Sequence, residues 1–173
     1  MRLIRATTDD FDRIADFYRF VIDNTETMER YCRWVYGEHP ADDLIRRYID
    51  EGAMFYSVKG DELLSAVVVL PYQEEDYHGI DWMAELEDDD VAAVHILCVN
   101  PLYPKQGLGT ETMKAVVENA EKTGKKAVRL DTLLTNLAGQ HLYESLGFAR
   151  IGVKHGFAVN TGWTDFVMYE KLI

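Results

Sequence analysis

The strongest constraint on the fold comes from one stretch near the middle of the chain, residues 92–110. It opens with an apolar run, Ala92–Val99, that is rich in strand-favouring residues and bounded by Asp90 and by Asn100-Pro101. A short apolar run without alternating polar residues is typical of a strand that is buried on both faces. We therefore predict that Ala92–Val99 is the central strand of a sheet.

A helix is predicted directly after this strand, starting at Gly107. Apolar residues recur at helical spacing from Leu108 to Ala120, and Gly124 with lysines beside it marks the end. The turn before the helix contains Gly107 and Gly109. Because the first amide groups of a helix have no backbone partners and carry the positive end of the helix dipole, this turn predicts an anion site of the kind that holds phosphate.

Two common nucleotide motifs do not fit this turn. A dinucleotide fingerprint requires a third glycine at the position of Thr112, and a P-loop requires Gly-Lys-Ser/Thr, which is absent. Both of these nucleotide interpretations therefore fit the sequence poorly.

The same stretch resembles motif A of the GNAT superfamily (Gcn5-related N-acetyltransferases). In that motif a strand ending in Leu-x-Val is followed by Pro, a short loop and Arg/Gln-x-x-Gly-x-Gly/Ala. The matching residues are Leu97, Val99, Pro101, Tyr103, Gly107 and Gly109. One position departs from the pattern, since Pro104 stands where the family usually has Arg or Gln. The family loop acts through main-chain amides, so we expect the pyrophosphate site to survive this change.

A second resemblance follows at residues 136–148, which are similar to motif B of the superfamily, Asn-x-x-Ala-x-x-x-Tyr-x-x-x-Gly-Phe. Asn136, Tyr143 and Phe148 match, and the small residue is Ala138-Gly139. Together the two motifs cover residues 92–150, and the pair is far more specific than either half. The resemblance implies one N-acetyltransferase domain over residues 1–173. Its implied α/β (α+β) fold has a central mixed, mostly antiparallel sheet of six to seven strands flanked by helices.

The resemblance also implies acetyl-CoA as co-substrate and direct transfer of the acetyl group to a primary amine. Main-chain amides of residues 105–110 would surround the pyrophosphate, and the end of the central strand would splay from its neighbour to pair with the pantetheine arm. The implied cofactor-binding residues are Leu97, Cys98, Val99, Lys105, Gln106, Gly107, Leu108, Gly109, Thr110, Asn136 and Tyr143.

Two residues are the catalytic candidates, Tyr143 and His95. In the family the tyrosine protonates the leaving thiolate, and a hydroxyl with an ordinary pKa near ~10 keeps its proton at neutral pH. Asn136 lies two helical turns before Tyr143, and Gly139 between them is expected to leave room for a ligand. His95 lies two positions before Leu97 and should share its face of the strand, where some family members carry the general base. The alternative is a buried histidine satisfied by a carbonyl group, with ordered water as the base.

No metal site is predicted, because the chain has two cysteines, Cys32 and Cys98, without metal-ligand spacing. Cys98 is interpreted as a small buried hydrophobic residue. The other elements follow from periodicity and turn residues. We predict strands at 3–6, 53–58, 63–70, 127–132, 148–153 and 164–171, helices at 11–22, 44–49 and 137–146, and a loop at 154–163.

The acceptor is indicated only by charge. Eighteen basic and thirty acidic residues give a net charge of −12, which disfavours nucleic acid and anionic membranes and favours a cationic small molecule, although ordinary acidic surface is the simpler reading. Residues 72–90 hold nine acidic residues and no Lys or Arg, and form either a solvated loop or the acceptor mouth. An aromatic group near residues 31–39 is either satellite core or a wall of the acceptor pocket.

The start of the chain turns polar at once, and no apolar run approaches the ~20 residues of a membrane helix. We expect a soluble, cytoplasmic protein with no membrane partner, and a homodimer is an open option because dimers are frequent in the family. The alternatives are a peptide N-terminus or lysine as acceptor, or a non-catalytic acyl-CoA-binding module. A hydrolase using Cys98 or His95 is disfavoured, since the sequence shows neither a nucleophile elbow nor a triad-like set of nucleophile, general base and orienting residue.

Overall fold

One mixed sheet of seven strands runs through the chain, as seen in a computed structural model that describes residues 1–173. The strands are β1 (Ile4–Arg5), β2 (Met54–Lys59), β3 (Glu62–Leu70), β4 (Val91–Val99), β5 (Ala127–Leu133), β6 (Ala149–Ala158) and β7 (Gly162–Leu172). Their order is β1-β2-β3-β4-β5-β7-β6, and only β4 and β5 are parallel. The predicted mostly antiparallel sheet with six to seven strands is confirmed.

Five α-helices flank the sheet, namely α1 (Phe11–Asn24), α2 (Met28–Tyr31), α3 (Asp42–Asp50), α4 (Leu108–Lys122) and α5 (Leu137–Ser145). A short turn of 3-10 helix precedes α1, where the backbone amide of Thr7 donates to Asp10 Oδ2 at 2.9 Å. Two further 3-10 turns lie in the acidic segment, at Glu75–Tyr77 and Asp88–Asp90. No helix is long and apolar enough to cross a membrane.

Two apolar cores lie on opposite faces of the sheet. Successive side chains of β3 contribute to one core and then to the other, because neighbouring side chains of a strand point to opposite faces of the sheet. Val68 joins the core that packs against α1 and α3, whereas Val67 joins the core that packs against α4 and α5. The β-rich run that we predicted as the central strand is buried between both cores, as expected.

The strands β4 and β5 separate halfway along their length. Their parallel pairing covers four residue pairs, from Val91 with Ala127 to Val94 with Leu130. Beyond this point β4 continues to Val99 and β5 to Leu133 without pairing to each other. A gap therefore opens in the sheet at the carboxyl ends of these two strands.

A β-bulge occupies β4 at the mouth of this gap. His95 pairs with Val68 and Cys98 pairs with Ala66, so three steps along β4 match two steps along β3. Ile96 has a φ of 41°, which is rare for a β-branched residue. The expectation that His95 and Leu97 share a face is therefore wrong. The extra residue moves Leu97 to the core of α4 and α5, while His95 faces α3.

The final hairpin is longer than predicted. After a register shift between Arg150 and Gly152, the ladder between β6 and β7 continues to the pair Ala158 and Gly162, so that residues 159–161 alone form the turn. The predicted loop at 154–163 is therefore wrong. Glycine and histidine suggested a loop there, but the cross-strand pair of Phe157 and Trp163, with ring centroids 6.0 Å apart, stabilises an extended hairpin.

Candidate active site

A cavity of about 200 Å³ lies in the gap between β4 and β5, and we call it the central cavity. Both sides of the gap contribute to its walls. Its lining includes Trp34, His39, His95, Leu97, Asp131, Asn136 and Tyr143. The structure thus brings together four of the residues predicted from the sequence, Leu97, His95, Asn136 and Tyr143.

The other predicted residues lie outside the central cavity. Cys98 points into the core below α1, where burial raises the pKa of its thiol and where it behaves as a small hydrophobic residue. Val99 ends β4, residues 105–107 form an exposed turn, and the half-buried residues 108–110 form the first turn of α4. The predicted ligand contacts of this turn involve main-chain amides, which point along the helix axis towards open solvent.

The two glycines of the turn have different structural roles. Gly107 has a φ of 73° in the left-handed region, and a Cβ atom placed there would meet nothing within 4 Å. The surface above it is open, as an anion site requires. A Cβ on Gly109 would lie 3.1 Å from Leu142 Cδ2. Gly109 therefore allows α4 to pack closely against α5.

Tyr143 lies on α5 with its ring in the core and its edge at the central cavity. The ring packs at 6.0 Å from Phe148 and 5.7 Å from Tyr169, between centroids. Burial raises the pKa of Tyr143 well above its usual range, with smaller contributions from Cys32 and Asp131. The hydroxyl therefore carries its proton at neutral pH.

Asn136 caps the N-terminus of α5. Its Oδ1 accepts from the Gly139 amide at 3.0 Å, and its Nδ2 donates to Thr132 Oγ1 at 2.9 Å. A Cβ on Gly139 would lie 2.6 Å from Asn136 Nδ2. The space above Gly139 is therefore filled by the Asn136 side chain, and the expectation that it leaves room for a ligand is wrong.

His95 reaches the central cavity from the side of α3. Its ring stacks on Tyr48 with centroids 6.3 Å apart and lies 6.0 Å from Tyr77. The Nε2 atom is buried and is 3.4 Å from Glu74 Oε2. That distance suits an ion pair, but the geometry does not make a hydrogen bond, and Nε2 has no hydrogen-bond partner in the chain.

Asp131 and Tyr77 at this site were not predicted as functional, whereas His39 belongs to the aromatic group near residues 31–39 for which a pocket wall was one of two predictions. Asp131 lies directly after Leu130, where the pairing of β5 with β4 ends, and its Oδ1 accepts from the Tyr77 hydroxyl at 2.7 Å. Burial lowers the pKa of His39, which packs edge-on to Trp34 at 6.0 Å. For Asp131 the sequence signal was a single acidic residue within the predicted strand at 127–132.

The acidic segment 72–90 is fixed in place rather than freely solvated. A buried pair on the sheet, Arg129 and Glu170, forms its anchor, with 2.7 Å between Arg129 Nη2 and Glu170 Oε1. Arg129 also donates to the carbonyl of Ala84 at 2.7 Å, and Glu170 Oε2 accepts from the Met83 amide at 2.7 Å. Glu74 at one end of the segment reaches His95. The segment therefore contacts His95, a residue of the cavity wall, without lining the central cavity itself.

Lysines and arginines from elsewhere neutralise several of the segment's charges. Arg47 lies 3.6 Å from Glu74, and Lys126 lies 2.7 Å from Asp90. No group of three or more His, Cys, Asp or Glu side chains is arranged to hold a metal ion.

The comparison with known proteins agrees with this geometry. A model of the acetyltransferase (GNAT) family matches residues 12–148. The [ribosomal protein bS18]-alanine N-acetyltransferase of Escherichia coli K12 is 32% identical over 72 residues, which are 42% of this chain and 49% of that protein. The matched segments cover 34% of the length of one curated relative and 49% of the length of another, so this chain spans less than half of each.

Solved structures share the fold over nearly the whole chain. The ribosomal-protein-alanine N-acetyltransferase of Brucella melitensis has a TM-score of 0.71 at 13% identity, with 100% of both chains covered. The structure of yncA from Salmonella typhimurium, solved with its cofactor acetyl-CoA, has a TM-score of 0.69 at 16% identity and covers 99% of this chain and 92% of that one. The family match, supported by the shared fold, establishes that this chain belongs to the acetyltransferase (GNAT) family.

Proposed function

We propose that this chain moves an acetyl group from acetyl-CoA to a primary amine of a cationic small molecule, by direct attack of the amine and without an acyl-enzyme. One observation carries the proposal. The gap between β4 and β5 contains a cavity in which a protonated tyrosine, Tyr143, and a histidine with an unpartnered ring nitrogen, His95, both reach the same space. Such a pair can supply one proton and accept another.

The residues around the gap fit acetyl-CoA. The part of β4 beyond Val94 has no pairing to β5, so its backbone can pair with an extended arm such as pantetheine. The open surface above Gly107, at the start of α4, suits a pyrophosphate held by helix amides. We propose that Leu97–Val99, residues 105–110 and Asn136 form this binding surface. When bound, acetyl-CoA supplies an activated thioester.

Tyr143 would act as the proton donor. Its hydroxyl keeps its proton in the resting protein, because burial disfavours the charged phenolate. A hydroxyl at this position can donate to the thiolate sulfur as negative charge develops there. Asn136, locked by its two hydrogen bonds, would hold its part of the wall in a fixed orientation.

His95 would act as the proton acceptor for the amine. Its Nε2 has no hydrogen-bond partner within the chain, and Glu74 lies close enough to stabilise the imidazolium that forms. The stacked Tyr48 fixes the plane of the ring.

The test is release of free CoA from acetyl-CoA with a panel of amines, using wild type, Tyr143→Phe and Tyr56→Phe. Tyr56 is the matched control, because its hydroxyl bonds Asp10 and does not line the central cavity. We expect Tyr143→Phe to lower kcat by about 100-fold or more, typical of a lost general acid, with little change in acetyl-CoA affinity. The control should keep wild-type turnover.

Two results would contradict this function. If acetyl-CoA binds tightly by calorimetry and no amine stimulates thiol release, the chain is better described as an acyl-CoA-binding module. If both variants lose turnover and affinity equally, the effect of Tyr143 is structural. An unchanged pH profile in His95→Ala would remove His95 from the mechanism.

A peptide N-terminus is the second candidate acceptor. Its support is the activity for which two similar proteins are named, since both are alanine N-acetyltransferases of ribosomal proteins. The panel therefore includes short peptides with N-terminal alanine. Turnover with these peptides and with no small amine would favour this candidate.

We also propose that residues 1–173 form one N-acetyltransferase domain with a cytoplasmic location, and a homodimer stays the open option for its assembly. The single sheet, which includes strands from both ends of the chain, supports the one-domain reading. Analytical ultracentrifugation tests the assembly, and cell fractionation tests the location.

A further inference from the structure

A second cavity, of about 440 Å³, adjoins the central cavity, and we call it the side cavity. Asp131 and Phe166 line both cavities and therefore form the wall that they share. The side cavity is of a size that suits a small molecule. A ligand that fills it would contact Asp131 at the boundary with the central cavity.

Asp131 has an uncompensated negative charge. Its partner is the Tyr77 hydroxyl at 2.7 Å, which is a neutral donor, and no lysine or arginine pairs with it. Burial raises the pKa of Tyr77 well above its usual range, so the hydroxyl remains a donor. A carboxylate that is partly buried without a cation favours a cationic ligand.

Lys154 and Asp76 also line the side cavity, and unlike Asp131 they pair with each other. Lys154 donates from Nζ to the Asp76 carbonyl and lies 4.0 Å from Asp76 Oδ1. The Asp76 carboxylate is thus paired with a cation, and a second ammonium in the cavity would meet the like charge of Lys154. Apolar walls, including Phe166 and Met168, make up much of the rest.

We propose that the acceptor is a monoamine with an apolar body, that it enters through the side cavity, and that Asp131 binds its ammonium group at the boundary with the central cavity. This inference rests on the proposed acetyl transfer. One free carboxylate, one lysine and an apolar wall suit a single positive charge on an apolar ligand, and they disfavour a polyamine.

Tyr77 is a positioning residue in this arrangement, because it acts through Asp131. The acidic segment holds it in place, since Trp82 Nε1 donates to the Tyr77 carbonyl at 3.0 Å and the Trp82 ring packs 5.6 Å from the Tyr77 ring. Trp82 in turn lies over the guanidinium of Arg129 at 4.4 Å. The anchored segment therefore fixes the direction of the Asp131 carboxylate.

The experiment compares 2-phenylethylamine with spermidine as acceptors for wild type, Asp131→Asn, Tyr77→Phe and Asp23→Asn. The last is the matched control, because it removes one negative charge from an exposed residue on α1 that lines neither cavity. We expect wild type to prefer 2-phenylethylamine in kcat/KM. Asp131→Asn should raise KM for it by about 10-fold or more with a smaller change in kcat, as for a lost charged hydrogen bond.

Tyr77→Phe should raise KM in the same direction by a smaller factor, and Asp23→Asn should leave KM unchanged. Lys154→Gln should improve kcat/KM for spermidine more than for 2-phenylethylamine. Wild-type preference for spermidine or for peptides, or an unchanged KM in Asp131→Asn, would overturn the inference while leaving acetyl transfer intact.

Calorimetric binding of 2-phenylethylamine to wild type and Asp131→Asn provides a measurement that does not depend on turnover. Weaker binding to the variant, with acetyl-CoA affinity unchanged, supports the assignment of Asp131 even if no acceptor is turned over. Equal binding to both proteins refutes it.

Discussion

The buried ion pair beneath the acidic segment gives a sharp prediction for the substitution Arg129→Met. The side chains of Arg129 and Glu170 are 1% and 0% exposed, and Arg129 Nε lies 2.8 Å from Glu170 Oε1. Methionine fills a similar volume without a charge. After the substitution the Glu170 carboxylate would remain buried, with the Met83 amide as its donor.

The expected cost follows from the groups left behind. Removing one partner of a buried ion pair costs about 3–5 kcal/mol, because the other charge stays desolvated. The Ala84 carbonyl and Oε1 of the buried Gln73 also lose their donor, which places the cost above the lower end of that range. We therefore expect a loss of about 4 kcal/mol, which is a large part of the roughly 5–15 kcal/mol that stabilises a typical protein.

The assay is urea unfolding of wild type, Arg129→Met and the double variant Arg129→Met/Glu170→Leu. The double variant contains no unpaired charge, so it should recover at least about 2 kcal/mol relative to the single variant. A single-variant cost below about 1 kcal/mol would refute the reasoning. So would a double variant that is less stable than Arg129→Met, since Glu170 would then stabilise the fold without its partner.

Two further predictions concern single positions. Gly107→Ala should lower stability by about 1–2 kcal/mol in the same assay, because an L-residue is strained at a φ of 73° although no atom obstructs the new Cβ; an unchanged midpoint would contradict this. For His39 the pKa is lowered by burial from its ordinary value of 6.5, so the unfolded chain binds more protons than the folded one at mildly acid pH. Stability should therefore be complete above that value and decline as the pH falls below it, and His39→Gln should flatten this dependence; parallel profiles would exclude His39 as the cause.

Local patterns in the sequence were enough to predict the central strand, the helix after it and the mixed sheet. The apolar run of β4 and the helical spacing after Gly107 are properties of neighbouring residues, and tertiary contacts reinforce them. The grouping of Leu97, Asn136 and Tyr143 at one cavity followed from the family resemblance, and the geometry agrees with it. Their roles in binding and catalysis stay predictions.

The features that the sequence did not reveal depend on distant partners. The bulge at Ile96 is hidden, because an apolar strand buried on both faces has no alternation in which a one-residue shift could be seen. The role of Asp131 depends on Tyr77, which is 54 positions away. The ordered acidic segment depends on Arg129 and Glu170, charged residues that strand patterns would place in solvent.

The short parallel seam between β4 and β5 has a consequence for how the chain folds. On one side of the seam β2 and β3 form a local hairpin, and on the other side β6 and β7 form another. Hairpins close quickly, whereas parallel strands must wait for a crossover helix, here α4. We expect the two half-sheets to form first and to join last along four residue pairs, so that the amide hydrogens donated across the seam, between Val91–Val94 and Ala127–Leu130, exchange with solvent faster than those inside either hairpin.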